Sequence, residues 1–139
     1  MKKHLLMLAL ASTCFMATQA GAMTKDEYKA GKEKIEADYK AAKAQCDALK
    51  DNAKDVCEKE AKGKENVAKA ELEQQYKPSD SNARKVEEEK VKATYEVAKE
   101  KCDDQKGDAK NACEKQAKAD ETKAKADIRA MMKPAAKTQ

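Results

Sequence analysis

The chain has 139 residues and a formal net charge of +4; 40% of its residues are charged and 4% are aromatic. So few apolar and aromatic side chains exclude a conventional globular core and leave no stacking platform for bases. Lys and Glu alternate along the chain, whereas binding to a phosphate backbone requires cations gathered in a stripe, so no nucleic acid is expected as a partner.

The chain opens with MKKHLLMLALASTCFMATQAGA. A cationic start (Lys2, Lys3), an apolar run from Leu5 to about Ala17 and a small-residue exit make residues 1–22 a signal peptide. Ala20-Gly21-Ala22 fits the A-x-A rule, which places cleavage after Ala22; the alternative is after Ala20. The apolar run is short of the ~20 residues that a membrane span needs. Ala11-Ser12-Thr13 before Cys14 is a poor lipobox. The mature protein is therefore expected to be soluble and periplasmic, with no membrane span after signal cleavage. Cleavage removes His4, Phe15 and Cys14, and leaves 28 basic against 26 acidic residues, a charge of +2. Only twelve Val, Ile, Leu and Met remain in the mature 117 residues. That is too little to bury against a globular core, but the abundant Ala, Lys, Glu and Gln are the best helix formers. Acid-before-base pairs four apart recur at Glu36–Lys40, Glu58–Lys62, Glu65–Lys69, Glu88–Lys92, Glu114–Lys118 and Glu121–Lys125, the orientation that supports a helix.

The first unit spans 23–77. Thr24 and Glu27 form a capping box that starts a helix. Ile35, Tyr39, Ala42, Cys46 and Leu49 follow at 4-3-4-3 spacing, an a/d seam in which a cysteine is itself a core position. Cys57 lies eleven residues beyond Cys46. Residues 78–82, with Pro78 and turn formers, read as a linker. The second unit spans 83–133, closed by Pro134, and 134–139 read as a disordered tail. Residues 35–72 align with 91–128 at an offset of 56, with 18 identities in 38 positions. Tyr39/Tyr95, Cys46/Cys102, Asp47/Asp103 and Cys57/Cys113 coincide, which marks a tandem duplication.

The cysteine spacing decides between two architectures. On a straight helix, residues eleven apart share a face but are ~16 Å apart. A disulfide needs Cα atoms within ~7 Å, so a bridge forbids a straight helix. Midway between the cysteines lie Asp51-Asn52 and Gly107-Asp108, which are turn and cap residues; Asn52 and Asp108 suit the N-cap of a following helix. Reflecting the chain about these midpoints sets Ala42 opposite Ala61, Ile35 opposite Ala68 and Gly31 opposite Leu72. In the second copy Ala98 meets Ala117, Val91 meets Ala124 and Glu87 meets Ile128. All but the last join apolar or small residues. The expected fold is therefore all-α: tandem duplicated helical hairpins, four long helices in all, with disulfides Cys46–Cys57 and Cys102–Cys113. The alternative is long continuous coiled-coil helices, because the seam runs on in phase through Ala53 and Val56. With so little apolar surface, the two hairpins are expected to pack weakly on each other.

As staples, the cysteines suit an exported chain too poor in apolar residues to hold itself together. A redox dithiol usually has the close spacing of Cys-x-x-Cys, and flanking Asp47, Asp55 and Glu58 would raise thiol pKa values. Zinc sites favour pairs two to four residues apart. Neither pattern is present, so no metal, cofactor or catalytic residue is assigned, and the protein is read as not an enzyme. Ser79 and Ser81 have no His partner in the mature chain, which rules out a Ser-His-Asp arrangement.

In composition, the mature chain resembles the Ala/Lys/Glu-rich helical stalk of TolA-type envelope proteins, and it is similar to many small secreted proteins of Gram-negative bacteria. Neither the TolA anchor nor its globular domain has a counterpart here, and no functional residue carries over. DEYKAGK at Asp26 and ADYKAAK at Ala37 resemble the eleven-residue repeats of late-embryogenesis-abundant stress proteins. The first resemblance implies a structural or interaction role in the envelope; the second implies a stress or desiccation protectant. A thiol redox or metal module is the third expectation. The expected partner is an envelope protein or a second copy of the chain, with a monomer or weak oligomer in solution.

Overall fold

The computed structural model describes residues 22–132. They form four helices: α1 (Lys25–Cys46), α2 (Asp51–Tyr76), α3 (Asp80–Cys102) and α4 (Gly107–Met131). There is no strand among the described residues. The expected signal peptide, apart from Ala22, and the tail from Pro134 onward lie outside them.

Local chemistry sets the helix ends. The Thr24 hydroxyl accepts from the Glu27 amide at 3.2 Å, and the Glu27 carboxylate accepts from the Thr24 amide at 2.7 Å. This is the capping box expected from the sequence, and the hydrogen bonds from Thr24 hold the Glu27 carboxyl below the usual glutamate range. The two tip turns correct the sequence reading. Asn52 and Asp108 are not N-caps, because α2 and α4 start one residue earlier, at Asp51 and Gly107. Those two residues have φ of 50° and 57° and follow an extended Lys50 and Lys106. A reversal this tight needs one left-handed residue. Gly107 adopts it freely, and Asp51 is one of the few side chains that tolerates it. Asn52 lies within α2, its amide nitrogen buried without a partner among the described residues. The linker is also shorter than 78–82: the Ser79 hydroxyl accepts from the Asn82 amide at 3.1 Å, and α3 begins at Asp80.

Because the chain reverses at 47–50 and again at 103–106, the continuous-helix alternative is excluded. Among the described residues, each helix packs only on its neighbours in sequence: α1 on α2, α2 on α3, α3 on α4. The four helices thus form one antiparallel layer rather than a closed bundle. Within the first hairpin the mirrored register is observed, since a Cβ built on Gly31 would lie 2.7 Å from Leu72 Cδ1. Leu49 departs from the expected seam. It falls after the end of α1 and is 42% exposed. At the far end of this hairpin the Tyr28 and Tyr76 rings stack at 4.4 Å, and the Tyr28 hydroxyl donates to Glu73 at 2.6 Å.

Weak packing between the hairpins is not what is found, because α2 and α3 share the most extensive interface of the layer. The reason is side-chain size. Gly63 faces Ala93 so closely that a Cβ on Gly63 would lie 2.7 Å from the Ala93 Cβ. Glu60–Lys101 (3.6 Å), Lys59–Glu100 (3.7 Å) and Glu71–Lys90 (3.7 Å) tie the same two helices. Ala70 and Val86 are buried in the middle of the layer, whereas their repeat equivalents Ala126 and Ala30 are exposed on its outer edges. Val67 and Val97, half-buried between α2 and α3, correspond to exposed Lys123 and Ala41.

The two helical glycines respond differently to a methyl group. Gly31→Ala meets only the flexible end of Leu72, so the gain in helix propensity, up to about 1 kcal/mol, should leave the protein as stable or more so. Gly63→Ala presses on Ala93 itself and should cost about 1–2 kcal/mol despite the same gain. Urea denaturation of the two variants tests the pair, and equal effects would contradict the close approach of α2 and α3.

Candidate functional site: clasped tips and clamped glutamates

Each hairpin tip places one cysteine at the last position of the outgoing helix and the other in the second turn of the returning helix. Cys46–Cys57 and Cys102–Cys113 are disulfides with Cα separations of 5.5 and 5.6 Å. Cys46 and Cys102 are fully buried, while Cys57 and Cys113 are half-buried. All four cysteines named from the sequence are therefore brought together in the expected pairs. None remains as a thiolate for a zinc site. Among the described residues, no group of three or more His, Cys, Asp or Glu is placed to hold a metal.

A salt bridge closes each tip a second time. Lys54 meets Asp47 at 2.9 Å, and Lys110 meets Asp103 at 2.7 Å. These pairs are equivalent under the 56-residue offset, and the hydrogen bond to the aspartate raises each lysine above its usual pKa. Of the acids that argued against a reactive thiol, Asp47 is thus engaged with a lysine across the turn.

The second duplicated constellation lies two turns down each hairpin. Glu65 and Glu121 are the buried charged residues of the layer, each 6% exposed. Lys62 and Lys69 hold Glu65 at 2.7 and 2.6 Å, and Lys118 and Lys125 hold Glu121 at the same two distances. Burial pushes the Glu65 carboxyl up, but the hydrogen bonds from Lys62 and Lys69 outweigh it and hold it below the usual glutamate range. Hydrogen bonds from Lys118 and Lys125 lower Glu121 in the same way. The ammonium groups of Lys62 and Lys118 also lie 5.2 and 5.1 Å from the ring centres of Tyr39 and Tyr95. Both tyrosines are half-buried members of the hairpin seam, and a cation over the ring face stabilises that position.

Sequence spacing finds half of this. The pairs Glu65–Lys69 and Glu121–Lys125 form as expected, as does Glu36–Lys40 at 2.9 Å. Lys62 and Lys118, expected to reach back to Glu58 and Glu114, turn forward to the buried glutamates instead. A buried carboxylate needs both cations, whereas Glu58 and Glu114 are exposed enough for water to serve them. The exact recurrence of Tyr, Lys, Glu and Lys at one offset is the signal that would have exposed the cluster.

These groups lock geometry. Each disulfide fixes the tip, and each glutamate behind it is satisfied by two lysines of its own helix. No family model matches the chain, no curated protein matches it in sequence, and no solved structure matches it in fold.

Two measurements test the assignment. Replacing Cys46 and Cys57 together with Ser should lower stability by about 2–3 kcal/mol, the chain-entropy value for a loop of this size. The glutamates carry a pH signature. Because their folded pKa values are depressed, their contribution is complete above the ordinary value of 4.5 and is lost as pH falls through it and below. Stability of the native protein should therefore decline on acidification below that value. The Glu65→Gln/Glu121→Gln variant should be less stable at neutral pH, by about 1 kcal/mol per site, with a shallower acid decline. An unchanged acid limb would show that the clamps contribute nothing.

Proposed function

We propose that the chain is an exported, periplasmic, non-catalytic helical protein that serves the cell envelope as a structural or protein-interaction element. The observation that carries this reading is the disulfide in each hairpin tip. Such bonds form and persist in oxidising compartments and are rare in the cytosol. The signal-peptide pattern of residues 1–22 points the same way, and no described helix is long and apolar enough to cross a membrane. An open layer supports an interaction role, because both its faces remain available to a partner, whether an envelope protein or a second copy.

The protectant reading draws on the Ala/Lys/Glu composition and the short eleven-residue recurrence near α1. The two readings part on whether structure is preformed. A protectant of that class is unstructured in dilute buffer and becomes helical on drying, whereas clasped hairpins are helical in dilute buffer and lose helicity on reduction.

Expression of the full chain in a Gram-negative host, followed by osmotic-shock fractionation, tests the proposal. The released protein should begin at Met23, contain no free thiol under denaturing, non-reducing conditions, and run without intermolecular disulfides. Retention in the cytosol, or four free thiols, would overturn it.

A further inference from the structure

The two faces of the layer differ in chemistry. On one face a groove of about 600 Å³ runs between α2 and α3, floored by Gly63, Val67, Ala68, Ala93, Val97 and Ala98. The adjoining groove between α3 and α4 shares Lys90, Thr94 and Ala98 with it, so the two lie side by side. A third groove, of about 680 Å³ and bordered by α1, α2 and α3, is polar; Lys32, Lys69, Lys85, Lys92 and Asn66 line it. Helical layers with an apolar face are stable when that face is covered by a second layer.

The charges at the ends of the apolar groove say what covers it. The α2 wall carries Glu60 and Glu71, and the α3 wall carries Lys101 and Lys90. Glu60 reaches Lys101 at 3.6 Å and Glu71 reaches Lys90 at 3.7 Å, so each acid is level with its base along the groove. A two-fold axis laid along the groove sets the α3 of a second copy over α2, and its α2 over α3. Every glutamate then faces a lysine of the second copy at the same height: Glu60 opposite Lys101 and Glu71 opposite Lys90, four times in all. Rotation about that axis preserves helix direction, so each stacked pair of helices is antiparallel. The central four helices become an antiparallel four-helix bundle with the apolar floors as its core. Lys64, which also lines the α2 wall, has a stem long enough to carry its ammonium out to water.

We infer that the apolar α2–α3 face is the interface of a two-fold symmetric, face-to-face dimer of this protein. The inference goes beyond the envelope role proposed above and stands independently of it, because it is tested on the purified mature protein.

Sedimentation equilibrium at low salt, from about 10 µM to about 1 mM, should show a reversible monomer–dimer equilibrium. Two charge-reversal variants make the test specific. E60K/E71K leaves only lysines at the four wall positions, and K90E/K101E leaves only glutamates. Each alone should weaken dimerisation by at least about tenfold, because like charges then face each other across the interface. The pairs lost or reversed within the monomer, Lys90–Glu87 included, are exposed and screened by solvent, so helicity by circular dichroism and disulfide formation should match the parent. Mixing the two variants should restore a heterodimer, since every lysine of one then meets a glutamate of the other. Val97→Lys, in the middle of the floor, should abolish association in either background. A wild-type protein that stays monomeric at the highest concentration overturns the inference. A dimer indifferent to these substitutions, or a mixture that fails to pair, overturns it equally.

Discussion

Each disulfide joins two residues where the chain reverses, and the register of its hairpin is counted from that bond. With Cys46 held 5.5 Å from Cys57, antiparallel helices must set Gly31 beside Leu72, just over four turns away. An apolar core would normally fix such a register through the shapes of many branched side chains. Here the fully buried side chains are Cys46 and Cys102 themselves, and much of what surrounds them is alanine. Alanine packs closely but carries little shape information, so a slip of one helix past the other would cost little contact. The covalent bond supplies the missing information, and the Lys54–Asp47 and Lys110–Asp103 bridges repeat it electrostatically. The energetic role of the bond is thus inseparable from its geometric one.

Farther from the tip the constraint weakens, and there the buried glutamates lie. A carboxylate in a seam is costly unless both of its oxygens are satisfied. Glu65 and Glu121 meet that condition with lysines from their own helix, at positions −3 and +4. The clamp is local, so it survives any small shift between helices, while the ammonium groups of Lys62 and Lys118 lie over the rings of Tyr39 and Tyr95 in the seam. Placing charge in the interior is tolerable here because the layer is thin and both ammonium groups still reach water.

Features governed by neighbours in sequence were legible in the sequence. The capping box at Thr24 and Glu27 needs only three residues of context. The disulfide pairing followed from an eleven-residue spacing that a straight helix cannot bridge, together with turn formers at the midpoint. The mirror register within each hairpin followed from that midpoint. The sequence reading failed where one residue's conformation or a second surface decided the outcome. Asn52 and Asp108 looked like caps because their side chains favour that role, but backbone reversal demanded a left-handed residue one position earlier, and the helices start there. Leu49 kept the heptad spacing after the helix had already ended. The contact between α2 and α3 depends on Gly63 and Ala93, which are thirty residues apart and mirrored about the Pro78 turn rather than about a cysteine tip. Nothing in an alanine-rich chain distinguishes that glycine until the turn position is known.

The outer helices differ from the inner ones in a way that sets the size of the array. Stacked repeats propagate when each unit presents to the next the surface it received from the last. In this chain the received surface carries Val86 and Val97, and the surface that meets it carries Gly63 and Val67. The same positions on the free edges are Ala30 and Ala41 on α1, and Ala119 and Lys123 on α4. A third unit arriving at either edge would find no branched side chain to pack on, a methyl group where closest approach needs glycine, and on α4 a lysine to desolvate. Edge chemistry therefore limits lateral growth to two units, and a further hairpin genetically appended to α4 would hang from its linker without docking.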